Sequence, residues 1–275
     1  QQVANSHLIF NLSTSLVFLA GIKPFGSLVM RIVPEKDAEV VFVTRHLRDP
    51  LPEDSSTATG QVEMEIVHMM EVSREVFEKS LEVGAGKTEA CARIEHLRDY
   101  VAFLNSAIEA AVVALSDREM HVEDAARISI LARVSDLVAS MVEQTVVMAK
   151  KFEHMKEKRM MLSTESLGNL MEMAAPCREN LDHLVEAFPE MPAEVDEAMR
   201  YNDEKLRQLL NWYYKSHVRR LAGGNKADGM FSEMLFSIER IGSIIRELRK
   251  TTISMAIPVS PLDIPDLVDL PDDGR

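Results

Sequence analysis

The 275-residue chain is 46% hydrophobic and 27% charged, ample for a sizeable core, and its formal charge is −13. That acidic balance excludes a general nucleic-acid surface, since phosphate backbones bind cationic faces. Aromatics make up only 5%, Gly and Pro are few and there are 17 Met, a composition that favours helices over sheet. Cys91 and Cys177 lie outside any CxxC pair and read as small apolar residues of a reducing compartment, with no zinc or redox motif.

In chain order, the first element is an apolar stretch. Gln1 rather than Met opens the sequence, and the expectation is a piece of a longer protein. Residues 8–22 are apolar apart from Asn11 and the small hydroxyl residues Ser13, Thr14 and Ser15. That is short of the roughly 20 residues of a complete span, and it lacks the basic n-region of a signal peptide. Small and hydroxyl residues suit a helix packed on other membrane helices. Lys23, Arg31, Lys36, Arg45 and Arg48 follow, which places the C-terminal side in the cytoplasm. Pro34 closes the region, residues 40–43 read as a short strand, and 49–60 (DPLPEDSSTATG) read as a linker.

From about residue 61, six long segments show apolar residues at three- and four-residue spacing. The first, 62–83, has a stripe that includes Val62, Ile66, Met69 and Val76. The second, 88–115, carries Ile94, Leu97, Val101, Leu104, Ile108 and Val112. Ser116 with Glu119 forms a capping-box pattern ahead of a third helix that reaches about 158. A fourth runs 163–188 with Pro176 inside, a fifth 193–221, and a sixth 229–255. Three helices plus three imply two similar bundles. The expected domains are therefore a membrane end (1–34), a linker (35–60), an all-α helical domain (61–256) and an acidic Pro-rich tail (257–275).

Motifs that mimic chemistry have plainer explanations. GAGKT at 84–88 resembles the end of a phosphate loop, but Leu81 stands where that loop needs Gly and a helix precedes it, so it reads as a helix–helix turn. The eight histidines form no i,i+4 pair and read mostly as surface residues. Glu95 and Asp99 lie one turn apart on a helix face, as two oxygen ligands for a hard or iron-like cation would. On spacing alone a solvated face is the stronger reading. Trp212, Tyr213 and Tyr214 precede Lys215, His217, Arg219 and Arg220. Such a run can bind an anion or an inner-leaflet surface, but core aromatics with arginines capping a helix end are the preferred reading.

Two stretches resemble a known family. ANSHLIFNLSTSLVFLAGIKPFGSLVMRIVPEK is similar to the final membrane segment of bacterial sodium/phosphate cotransporters, the Na/Pi cotransporter II-related family, where an "HLLFNLLTALLFLP…VP" stretch leads into a PhoU-like helical domain. The six helices fit that domain in length, order and repeat. SIERIGSIIREL (237–248) is similar to the family's "ERIGD" helix, ILARVSDLVASMVE (130–143) occupies the matching place in the first bundle, and HVRRLAGG (217–224) resembles the end of the fifth helix. The resemblance implies the C-terminal part of a sodium-dependent phosphate symporter of the bacterial inner membrane, with its PhoU-like part cytoplasmic and regulatory, not enzymatic. It implies sodium and phosphate as the full transporter's ligands, with no cofactor in these residues. Its expected partners are the membrane, the upstream transport helices, and a second copy or a phosphate-signalling protein.

In PhoU proteins, E-x-x-x-D pairs can hold metal clusters. In this sequence Glu239 faces Ser243 instead of a second acid, and Asp136 pairs with Ala132 in the first position, so no structural metal is expected. Glu95, Asp99, Asp136 and Glu239 stand as the weak metal candidates. The alternatives are a membrane-tethered PhoU-like regulator that binds a transporter or sensor kinase, and a metal-dependent helical-bundle enzyme using Glu95/Asp99 or Asp136/Glu239.

Overall fold

The computed structural model describes residues 41–119, 121–160, 162–221 and 227–256, with backbone alone at 216–221 and 227–229. The chain divides between Val41 and Phe42 into two units, and the described residues, Val41 apart, belong to the second. The apolar stretch 8–33 and the acidic tail 257–275 lie outside the described residues.

The described residues form six helices and no strand: α1 (Ser55–Gly84), α2 (Ala90–Ser116), α3 (Val122–Glu157), α4 (Thr164–Ala187), α5 (Ala193–Leu221) and α6 (Ala227–Ser254). Helices α1, α2 and α3 pack pairwise into one bundle, and α4, α5 and α6 into a second. The bundles meet where α3 lies on α6 and α1 on α4. Each core follows from the apolar spacing. Val62, Ile66, Met69 and Phe77 meet Ile94, Leu104, Ile108, Leu131 and Val138 in the first, all essentially inaccessible. Met173, Leu181, Met199, Phe231, Ile241 and Leu248 do the same in the second. Each such side chain contributes about 1.5–3 kcal/mol relative to exposure.

Helix ends depart from the sequence expectation in instructive places. α1 starts at Ser55, inside the stretch read as a linker, because the Asp54 carboxylate accepts the Thr57 amide at 2.7 Å and caps the helix. Ala58 and Thr59 are then already buried. Ser116 caps nothing downstream: it ends α2 and donates back to the Val112 carbonyl at 2.9 Å, while α3 starts after His121 with no side-chain cap. Ser163 does cap α4, accepting the Ser166 amide at 3.1 Å. α4 runs continuously through the buried Pro176. Residues 41–43 have no regular structure, so the expected strand is absent over them.

The GAGKT turn joins α1 to α2. Gly86 sits at φ +101°, a conformation that costs glycine little. Gly84 lies against the Phe152 ring of α3, where an added Cβ would approach to 2.9 Å. Lys156 of α3 donates to the Gly86 carbonyl at 3.1 Å and the Thr88 hydroxyl at 2.8 Å. α2 is long and apolar enough to cross a membrane by length and composition, and its buried residues face α1 and α3.

Candidate functional site

The four carboxylates singled out from spacing are dispersed. Glu95 and Asp99 lie on α2, each about half exposed; Glu95 pairs with Lys150 of α3 at 3.0 Å and Asp99 with Arg98 at 2.7 Å. Asp136 is exposed on α3 and accepts a long contact of 3.4 Å from the Asn105 amide. Glu239 lies on α6 and lines a groove with Arg207, Asn211, Tyr214 and Phe236. Among the described residues no group of three or more His, Cys, Asp or Glu is arranged to hold a metal ion.

A different carboxylate is set at the centre of the first bundle. Glu65 of α1 is fully buried, one turn from Val62 and beside Ile66 on the apolar stripe. It survives there because the segment leading into the bundle folds over it. The amides of Arg45, His46 and Leu47 donate to its two oxygens at 3.2, 2.6 and 3.2 Å, and His68 Nδ1 lies 2.8 Å away. Burial alone would push the Glu65 carboxyl up. The His68 ring and the three amides outweigh it and hold the group down at about 2. Glu65 is therefore held as an anion at neutral pH, with three consecutive backbone donors converging on it.

Neighbouring contacts extend this clamp. Gln61 Oε1 accepts the Arg48 amide at 3.2 Å. The Tyr100 hydroxyl of α2 donates to the Val43 carbonyl at 2.7 Å and lies 3.5 Å from His68 Nε2. Phe42 lies over the rings of His96, Tyr100 and Phe103, with centroids 5.2, 5.5 and 5.9 Å away. Residues 42–48 are thus held to α1 and α2 by backbone hydrogen bonds at one end and ring stacking at the other. His68, 1% exposed, departs from the expectation of surface histidines. The signal was available: Glu65 and His68 sit at i,i+3 on the apolar face, and a buried acid and imidazole at that spacing pair with each other.

The second bundle holds its own polar network. Arg249 of α6, 7% exposed, donates to Asp196 of α5, and its Nε lies 3.6 Å from Asp203, too far for a hydrogen bond. Arg246 reaches the same Asp203 oxygen at 3.5 Å. Burial raises the Asp203 carboxyl in spite of these two cations. Asn202 donates to Asn180 at 3.0 Å beneath them. Cys177 lies alongside, its thiol pushed up to about 12 by burial, and half-buried Cys91 is raised to about 11 by burial and Glu153. Neither thiol is poised as a nucleophile.

The aromatic run also departs from expectation. Only Tyr213 is core; it donates to Glu172, and burial first and this bond second raise its hydroxyl to about 12. Trp212 and Tyr214 are exposed.

No family model and no curated protein matches the sequence. Solved structures do. The phosphate transport system regulatory protein PhoU from Streptococcus pneumoniae superposes with a TM-score of 0.66 at 17% identity, over 75% of this chain and 100% of that one. PhoU from Pseudomonas aeruginosa superposes with a TM-score of 0.67 at 12% identity, over 74% of this chain and 99% of the other. The chain therefore has a PhoU-like fold of two three-helix bundles.

Proposed function

We propose that the chain is a PhoU-like regulator of phosphate uptake, tethered to a bacterial inner membrane by the stretch ahead of its cytoplasmic helical domain. It acts by binding a transporter or a sensor kinase, not by catalysis. The observation that carries this reading is the pairing of a complete PhoU-like fold with the Glu65 clamp. A lead-in segment fixed by three amides, a tyrosine bond and ring stacking moves with the bundle. A displacement of the tether is then transmitted to α1 and α2, or the reverse. The clamp is built of groups that hold and position: a buried carboxylate, backbone amides and stacked rings.

A second reading is the C-terminal part of a sodium/phosphate symporter. The resemblance of residues 4–36 to the last membrane segment of that family favours it. Sodium and phosphate would then be handled by upstream helices, with the bundles regulating them. A second copy or a phosphate-signalling protein is the expected partner in either case.

Radiolabelled phosphate uptake in cells from which the whole gene has been deleted tests both. The regulator reading expects uptake to persist and to escape repression when phosphate is plentiful. The symporter reading expects sodium-dependent uptake itself to disappear. Uptake unchanged in rate and in regulation would sink both.

A further inference from the structure

Residues 205–220 (KLRQLLNWYYKSHVRR) contain five basic residues and no acidic one, in a chain whose formal charge is −13. The same stretch holds the single Trp of the chain and two of its four Tyr. At 100° per residue three successive aromatics cannot all face one core. Tyr213 points inward at 3% exposure, leaving Trp212 at 63% and Tyr214 at 52% on either side of it. Across a groove of about 320 Å³ from Tyr214 stands Phe236 of α6, 57% exposed, with Leu210 and Leu235 between them. Tyr214 and Phe236 form one exposed aromatic edge and Trp212 stands on the opposite flank of the same outward face of α5, and exposed rings bracketing a helix face mark a contact surface.

We propose that this end of the second bundle docks on an anionic bilayer surface, with Trp212, Tyr214 and Phe236 in the interfacial layer and Lys215 at the headgroups. Trp and Tyr have an apolar body with a polar edge, which suits the headgroup level of a membrane. The local charge selects the sign of the lipid. Arg207 is neutralised by Glu204 at 2.7 Å and Glu239 lines the groove, so the attraction comes from the Lys215 end, where Arg219 and Arg220 follow in sequence. The net negative charge of the chain opposes an anionic surface in general, so a local basic end favours docking in one orientation. The proposal deepens the regulator reading by giving the helical domain a membrane contact of its own, and it rests on that reading only for its purpose.

Because Trp212 is the sole tryptophan, the full chain carries its own probe. Phosphatidylglycerol vesicles should shift its emission to the blue, and brominated acyl chains should quench it; phosphatidylcholine vesicles should do neither. Binding of the chain through residues 8–33 alone leaves Trp212 in water and unquenched. Lys215→Gln should weaken the titration about fivefold, the loss expected for one basic residue near a charged surface. Tyr214→Ser should weaken it further with unchanged far-ultraviolet circular dichroism. Vesicles that sediment the protein while Trp212 stays unquenched overturn the proposal, as does a Trp212 shift that needs a protein partner and no lipid. Vesicle binding is read without phosphate uptake, so its failure and the failure of the regulator reading are separate results.

Discussion

In the first bundle Ser135 of α3 is completely buried, with its hydroxyl 2.5 Å from Asn105 Oδ1 and 3.5 Å from Met69 Sδ. At the matching position of the second bundle Gly242 of α6 has no side chain, and an added Cβ would come within 2.4 Å of Leu206. One repeat spends that position on a hydrogen bond and the other on close helix approach. The buried polar groups differ in the same manner. Glu65 is satisfied mainly by backbone amides of a segment outside the bundle, whereas Asp196 and Asp203 are satisfied by arginines of their own bundle. The first bundle is thus built to hold something that comes to it, and the second is closed on itself.

Removing Glu65 breaks that contrast most severely. Glu65→Ala orphans three amides and a histidine in a buried site, and urea unfolding should show a loss of about 3–5 kcal/mol. The acid limb gives a finer test. The Glu65 carboxyl lies at about 2 against an ordinary 4.5, so its contribution is complete above about pH 4.5 and disappears as pH falls toward 2. That window should carry about 3 kcal/mol in the wild type and flatten in Glu65→Gln.

In the second bundle Arg249→Ala leaves Asp196 and Asp203 facing each other with one cation fewer, and about 2–3 kcal/mol should be lost by denaturant titration. Gly242→Ala gains helix propensity but drives a Cβ into Leu206, for a net loss of about 1–2 kcal/mol. Combining it with Leu206→Ala should recover part of that loss, a coupling that independent sites would not show. Ser135→Ala should cost about 1 kcal/mol, the value of one buried hydrogen bond. Arg133→Ala, which removes an exposed pair with Glu247 across the bundle interface, should change stability by about 0.5 kcal/mol or less.

The helices were legible in the sequence because the stripes through Val62–Ile66–Met69 and Leu97–Val101–Leu104 have helical spacing and little competing signal. The doubling into two bundles was legible from their count and lengths. What escaped were the partners each face meets. Within α3, Ile130 and Leu137 are only half-buried, while their neighbours Ile128, Leu131 and Val138 carry the contact. A one-residue difference in register is invisible where apolar residues are this dense. Glu65 escaped because an acid in a helix reads as a solvated position, and the amides that satisfy it lie some 20 residues earlier. Gly242 was legible as part of a motif, but Leu206, which makes a glycine necessary there, comes from another helix. Trp212 and Tyr214 could have been assigned to the surface by geometry alone, since α5 turns 100° at each residue.

On the proposed regulator reading, phosphate control passes through the clamp between the lead-in segment and the first bundle. Phosphate uptake in excess and in starvation should be measured in cells carrying Glu65→Gln in the native gene. Trypsin cleavage at Arg45 and Arg48 reports release of the segment, and protein abundance is followed in parallel. Cleavage should become fast and repression of uptake in excess phosphate should be lost while the protein stays folded and abundant. Normal repression in a chain whose lead-in segment is demonstrably released would contradict that reading.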